Sequence, residues 1–481
     1  MNPSELFQGA TALAWRPGAA QASLLLGLLF AFPFAAPQAH AGIVFTTLVS
    51  FNGTNGATPA CTLLQSSDGN FYGTTEYGGD PQGWQLGTVF KMTTNGTLSI
   101  LASLPGSYDP GLSPMGGLVQ GANGLLYGTT SAGGDGPAVG GEGTVFMITT
   151  NGGHTATVIL FDGPNGDSPR AGLLKGTDGN LYGTTYKGGG YISSDPKEEG
   201  YGTVFGIVSG PFWILHSFSG ADGAYPLCGL SQGTDGNLYG ATSSGTVFRL
   251  NLHDQTPPFF TNLVSFAGTT NGGSPHAAPI QGVDGSLYGT TALGWGNNGT
   301  VFRLAMNGVL TTLHSFSSDV EPQGALVQGA SGSLYGTTAY GGTCNCGTLF
   351  KITTNGVFTT LVSFTGPNGA NPMAGLILGS DGSLYGTTSS GGTYNSGTIF
   401  RLTLTPPAPP AFQAVKKAGT NITLTWTTEV GQAYQLQFRT NLAQATWSNW
   451  GGYIAATNST VTVTNTPGAD TRRFYRVVLL P

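Results

Sequence analysis

DGSLYGTTSSGGTYNSGTIFRL, residues 381–402, joins two short cassettes, LYGTT and GTIF, through a glycine-rich bridge. The tyrosine of the first cassette recurs at Tyr72, Tyr127, Tyr182, Tyr239, Tyr288, Tyr335 and Tyr385, with spacings of 55, 55, 57, 49, 47 and 50 residues. A GTVF-type cassette follows every copy, its phenylalanine at Phe90, Phe146, Phe205, Phe248, Phe302, Phe350 and Phe400. A period near fifty signals an array of equivalent small units, so the repeat governs every other reading.

Each unit reads as four short strands. In the last full one, AGLILG (374–379) precedes a Ser-Asp-Gly turn, then SLYGTT (383–388), a variable loop and GTIFRL (397–402). Upstream copies continue through TTNG into an apolar strand such as FTTLVSF (358–364). Asn-Gly and Asp-Gly between alternating apolar runs are hairpin signals, because those turns need positive φ. The Asp-Gly slot holds Asp68, Asn123, Asp178, Asp235, Asp284, Ser331 and Asp381. Its substitution by Asn and Ser favours a turn former over a calcium ligand.

Four antiparallel strands repeated seven times bury their edges best by closing into a ring. The expectation is an all-β chain with a seven-bladed β-propeller over 42–404. The first LVSF (48–51) precedes any complete unit, and the last GTIFRL has no LVSF after it. The N-terminal strand, about 44–51, is therefore expected to pair with 397–404 and close the ring.

Composition agrees. Charged residues are 8% of the 481 and glycines number 80, against roughly 25% and 7% in average chains. Regular apolar positions argue against disorder. A net charge of −6 without a basic run gives no footprint for nucleic acid. The N-terminus carries Arg16, an apolar run at 23–36 and AHA at 39–41, the pattern of a secretory signal peptide over 1–41. A retained anchor is the rival reading. It needs about 20 apolar residues, and this shorter run contains Pro33. No membrane span is expected after cleavage, which places the chain in the secreted or cell-surface class.

With DGNLYGTT (178–185), GTVF (202–205) and LHSF (215–218) in view, the chain resembles the GloVer tandem-repeat family of exported bacterial proteins, over about 44–404. The resemblance implies a secreted or surface-attached propeller-like protein and no established catalytic activity. PPAPPA at 406–411 reads as a stiff linker (405–411). Beyond it, NITLTW, AYQLQFRT, STVTVTN and RFYRVVLL suggest a small sandwich over 412–481, which resembles a reduced fibronectin type III domain.

Alternating strand directions place the long second-to-third and blade-to-blade loops on one face, where function on a rigid scaffold commonly sits. Aromatic residues there, Tyr77, Trp84, Tyr186, Tyr191, Tyr201, Trp295, Tyr340 and Tyr394, either stack on sugar faces or plug the loops against the blades. The leading expectation is a non-enzymatic binder of an extracellular polysaccharide or surface protein. A structural or adhesive role and a glycan hydrolase or lyase are the alternatives, the last using Asp195, Glu198, Glu199, Asp319 or Glu321. Paired carboxylates for such cleavage need defined separations of roughly 5–10 Å. His216 and His314 occupy a slot filled elsewhere by Val49, Ala102, Val264 and Val362, so they read as strand side chains. No cofactor, metal or catalytic residue is expected. Cys61 and Cys228 share a small-residue slot, while Cys344 and Cys346 in TCNC are either a disulfide or two thiols.

Overall fold

The computed structural model describes residues 42–79, 86–104, 111–134, 141–153, 155–190, 200–207, 211–252, 260–266, 272–292, 299–317, 320–404, 410–428, 433–441, 444, 446–466 and 473–479. The 1–41 leader and most of the 405–411 linker lie outside them. The described residues contain strands and no helix, so no helix there is long and apolar enough to cross a membrane.

Seven four-stranded antiparallel sheets occupy 43–404 among the described residues. The first is built in chain order from Leu64–Gln65, Phe71–Thr75, Thr88–Met92 and Leu98–Ser103, and the next five repeat that order. The seventh uses Ile377–Leu378, Leu384–Thr388 and Thr398–Leu404, and takes its outer strand from Ile43–Ser50. That strand runs antiparallel with Ile43 opposite Leu404 and Ser50 opposite Thr398.

The glycine, the threonines and the phenylalanine of the cassettes each have a contact that explains them. The glycine of YGTT lies opposite the phenylalanine of GTVF, as Gly73 lies opposite Phe90. In all seven units a Cβ there would meet the ring tip at 2.4–2.6 Å. Only glycine lets the ring lie flat across the sheet. The second threonine bonds the GTVF threonine, Thr75 to Thr88 and Thr388 to Thr398 both at 2.8 Å, satisfying two buried hydroxyls at once. The first threonine reaches across to a neighbouring sheet. Thr74 donates to Gly116 O, Thr129 to Ala171 O and Thr184 to Cys228 O, at 2.8–2.9 Å.

The leucine of LVSF has its own device. The outer strand of each sheet carries a bulge there: Leu48, Leu101, Leu215, Leu263, Leu313 and Leu361, with Val158 in the second sheet, are skipped by the ladder. The skipped side chains pack against the apolar clusters. A bulge re-aims one side chain and sharpens strand twist. Ile43–Ser50 has the same bulge as the six ordinary outer strands.

The innermost strands are shorter than AGLILG suggests, two ladder residues each. The residues just before them face neighbouring sheets at backbone distance: a Cβ at Gly116 would stand 2.5 Å from Ala171 C. Small side chains there serve close approach between sheets rather than strand pairing. Glutamines stitch the opposite end. Gln120, Gln232, Gln281 and Gln328 each accept from a turn N–H of the preceding sheet at 2.7–3.3 Å. The same links join the seventh sheet to the first: Ser380 N donates to Gln65 Oε1 at 2.8 Å, and Thr387 Oγ1 to Cys61 O at 3.0 Å.

The Asp-Gly slot is a turn with a second task. Tyr72, Tyr182, Tyr239, Tyr288 and Tyr385 donate their hydroxyls to the Asp four residues earlier, at 2.5–3.0 Å. Partial burial raises each Asp pKa, but the hydrogen bonds from tyrosine and turn donors outweigh it and hold all five below the usual carboxylate range. Burial, reinforced by the carboxylate, pushes Tyr182, Tyr239 and Tyr288 up to about 12. A depressed carboxyl stabilises the fold above its unfolded value and loses that contribution as pH falls through the folded one. Urea melts should therefore show falling stability from about pH 4 downward, with a shallower slope when Asp178 is replaced by Asn.

At the C-terminal end, Phe412–Ala418, Asn421–Thr427 and Thr460–Asn465 form one sheet, and Ala433–Arg439 pairs with Ser448–Asn449, Ile454–Ala455 and Phe474–Leu479 in another. Leu424 and Trp426 from the first meet Leu436 from the second in one buried core.

Candidate functional site

Segments from all seven sheets converge on one cavity of about 350 Å3. Each contributes a run of three or four residues, 60–63 in the first sheet, 170–173 in the third and 276–278 in the fifth. The first position of the run varies where the others stay small or leucine: Ala60, Met115, Arg170, Leu227, His276, Gln323 and Met373. Arg170 touches Tyr186 of a second-to-third loop. This position therefore lies toward the long-loop face.

A repeated kink sets those seven side chains. Each follows a proline, and the residue before the proline has positive φ in six units: Thr58, Ser113, Ser168, Tyr225, Ser274 and Asn371 at 51–57°. Non-glycine residues pay of order 1–2 kcal/mol there, and such strain concentrates at binding sites. The prolines seat against the glycine of the GTVF cassette. A Cβ on Gly143 would meet Pro169 Cδ at 2.8 Å, and one on Gly397 would meet Pro59 Cδ at 2.5 Å.

Around the third and fourth sheets the mouth becomes an aromatic ladder. The Arg170 guanidinium carbon lies 3.8 Å over the Tyr186 ring centre. Tyr186 packs on Tyr225 at 5.3 Å between centroids, and Tyr225 on Tyr201 at 5.9 Å. All four are half-buried. Tyr225 has φ 57°, the kink common to this position in six units, and stacks between the other two.

The fifth and sixth sheets present a different set. Gln323 Nε2 donates to Glu321 at 2.9 Å. Burial pushes the His276 imidazole below its usual value, and the Glu321 charge offsets this only in part. His276 therefore stands neutral near pH 7, with one donor and one acceptor nitrogen. Met373, Ala60 and Met115 complete an apolar arc across the seventh, first and second sheets.

Of the aromatic residues expected to bind, Tyr186 joins this ladder with Tyr201, while Tyr77 and Tyr394 are exposed and Tyr340 half-buried. Trp84, Tyr191 and Trp295 lie outside the described residues, as do Asp195, Glu198, Glu199 and Asp319. Arg170, Tyr225, His276 and Gln323 escaped the sequence reading. The signal for Arg170, His276 and Gln323 was the proline followed by a variable residue and then a small one; Tyr225 stands before its proline. His216 stacks on Phe260 at 3.8 Å and pairs with Asp222 at 2.9 Å; His314 stacks on Phe358 at 3.9 Å. Both are strand side chains. Cys61 and Cys228 are buried free thiols whose pKa burial raises. Cys344 and Cys346 are bonded to each other. Their intervening Asn345 has φ 58°, as Asn395 has 55° in the unbridged Tyr394-Asn395-Ser396 turn, so the bond clips a turn that the scaffold already makes. Among the described residues no cluster of three His, Cys, Asp or Glu could hold a metal ion.

Solved structures similar in fold include a gluconolactonase from Xanthomonas campestris, at 13% identity over 76% of this chain and 91% of that one, with a TM-score of 0.41. A candidate 6-phosphogluconolactonase from Bacteroides uniformis matches at 12% over 79% and 95%, TM-score 0.43. A protein of unknown function from Bacteroides thetaiotaomicron matches at 12% over 66% and 82%, TM-score 0.39. Likeness at this level bears on no activity or ligand. No curated protein matches the chain. The Gloeobacter/Verrucomicrobia repeat profile matches 27–195, 84–256 and 243–422, which together span most of the sequence. The chain belongs to the Gloeobacter/Verrucomicrobia repeat family.

Proposed function

We propose that 42–404 form a closed seven-bladed β-propeller, exported through the 1–41 leader, which binds an extracellular polysaccharide on its long-loop face without turning it over. The C-terminal 412–481 are read as a fibronectin type III-like module behind a 405–411 linker; two sheets sharing the Leu424, Trp426 and Leu436 core support that reading. Closure is supported by links between the seventh and first sheets of the same kind as those between consecutive ones.

The observation carrying the binding reading is the ladder of Tyr186, Tyr225 and Tyr201 beside the axial cavity. Half-buried rings packed on one another, with Tyr225 on a positive-φ backbone, are ready to stack on sugar faces before ligand arrives, which avoids an ordering penalty. A glycan array probed with the chain from residue 42 should yield a hit. Tyr186→Ala should weaken it roughly tenfold, the ratio that ~1.4 kcal/mol of lost stacking produces. Trp84→Ala with Trp295→Ala tests the loops outside the described residues. No hit on a broad array, or a hit indifferent to all three changes, would overturn the reading.

A further inference from the structure

We infer that the axial mouth is a sugar-acid subsite, in which Arg170 holds a carboxylate while His276 and the Glu321-bonded Gln323 take ring hydroxyls. This rests on the glycan-binding reading and names its chemistry. The chain has only 16 lysines and arginines in 481 residues, so a cation at the point where seven sheets converge is not part of a general basic surface. Its guanidinium face is occupied by Tyr186 at 3.8 Å. Stacking fixes the plane and leaves the N–H edges as donors in the fork that suits a carboxylate. Among the described residues, no hydrogen bond or ion pair engages Arg170.

The remote side of the mouth demands something else. Gln323, bonded to Glu321, both donates and accepts, and neutral His276 offers one donor and one acceptor. Vicinal hydroxyls, which donate and accept, satisfy that set; a second carboxylate beside Glu321 would be repelled. The ligand is thereby oriented, acid toward the third sheet and hydroxyls toward the fifth and sixth. A neutral hexose leaves Arg170 unanswered, and a bare phosphate leaves the hydroxyl side unanswered. At about 350 Å3 the cavity is near the lower bound of ordinary ligand pockets, room for one residue rather than a length of chain.

Titration calorimetry on the chain from residue 42 should compare D-glucuronate, its methyl ester, D-glucose and tetragalacturonate at one salt concentration. Glucuronate should bind at least about tenfold more tightly than glucose, and the uncharged ester should behave like glucose. Arg170→Gln, with a melting curve to verify folding, should bring acid and neutral sugar to within about twofold; Arg170→Lys should restore part of the gap because a point charge replaces the fork. Tighter binding of tetragalacturonate would identify a polymer end as the source, and tighter binding of free glucuronate a soluble sugar acid. Equal affinity for glucuronate and its ester, or a preference that survives Arg170→Gln, would overturn the inference. If array glycans still bind in that case, the loop-face reading stands; if no carbohydrate binds, both fall.

Discussion

A chain beginning at residue 56 will melt far below one beginning at residue 42, and without a single cooperative transition. The missing segment is the outer strand of the seventh sheet, whose removal leaves Thr398–Leu404 as a bare edge. It also strips apolar surface from two sides. Phe51 is fully buried against Phe90 of the first sheet at 5.4 Å, and Val49 belongs to the same cluster. Phe45 stacks on Phe400 at 5.4 Å and edges onto Phe364 at 5.8 Å. Full burial of such a side chain is worth about 1.5–3 kcal/mol, so Phe51 and Val49 give ~3–6 kcal/mol and half-buried Phe45 adds to it. That is a large part of the net stability of ordinary domains, about 5–15 kcal/mol. Circular dichroism melts of the two chains decide it, and superimposable curves would refute the role assigned to Ile43–Ser50.

The scaffold was legible because its letters act within or between adjacent units. Gly73 against Phe90 and Thr75 with Thr88 are contacts that every copy makes, and Tyr72 with Asp68 is one that five copies make, so they recur as cassettes. The unpartnered LVSF at 48–51 exposed the pairing with Thr398–Leu404 for the same reason: a missing fourth strand and a surplus one can be counted. The mouth was hidden by the same logic reversed. Arg170, His276 and Gln323 sit in a slot that lines the cavity, and it holds six different residue types across seven units. Periodicity is blind to a position whose purpose is to differ. The loop tyrosines were visible as a class, but only the folded packing picks Tyr186 and Tyr201 from among them and adds Tyr225, a non-glycine residue whose left-handed φ no glycine in the sequence announces.

Gly117→Ala and Gly375→Ala, one methyl each in equivalent positions, will differ in effect by several degrees of melting temperature. A Cβ at Gly117 would stand 2.5 Å from Thr62 O, at Gly172 2.7 Å from Gly117 O and at Gly229 2.9 Å from Gly172 O. At Gly375 the nearest atom is Ala325 N at 3.2 Å. The equivalent positions of the fifth, sixth and first sheets already carry Ala278, Ala325 and Thr62. The wall of the cavity is thus tight from the first to the fourth sheet and looser beyond, although the repeat is nominally uniform. None of these glycines has positive φ, so the difference is one of space alone. Overpacking against backbone, which cannot rotate away, costs about 1–3 kcal/mol; the 3.2 Å contact relaxes with a small shift, and replacing glycine by alanine even recovers up to ~1 kcal/mol from the unfolded chain. Gly117→Ala should therefore lower the melting temperature while Gly375→Ala leaves it level or raises it. Because the tight arc includes the third sheet, prying at Gly117 should also loosen Arg170 and erode sugar-acid preference, whereas the change at Gly375 should not. Equal losses from both substitutions would mean that the cavity wall gives uniformly, and that its tight arc does not hold the cation in place.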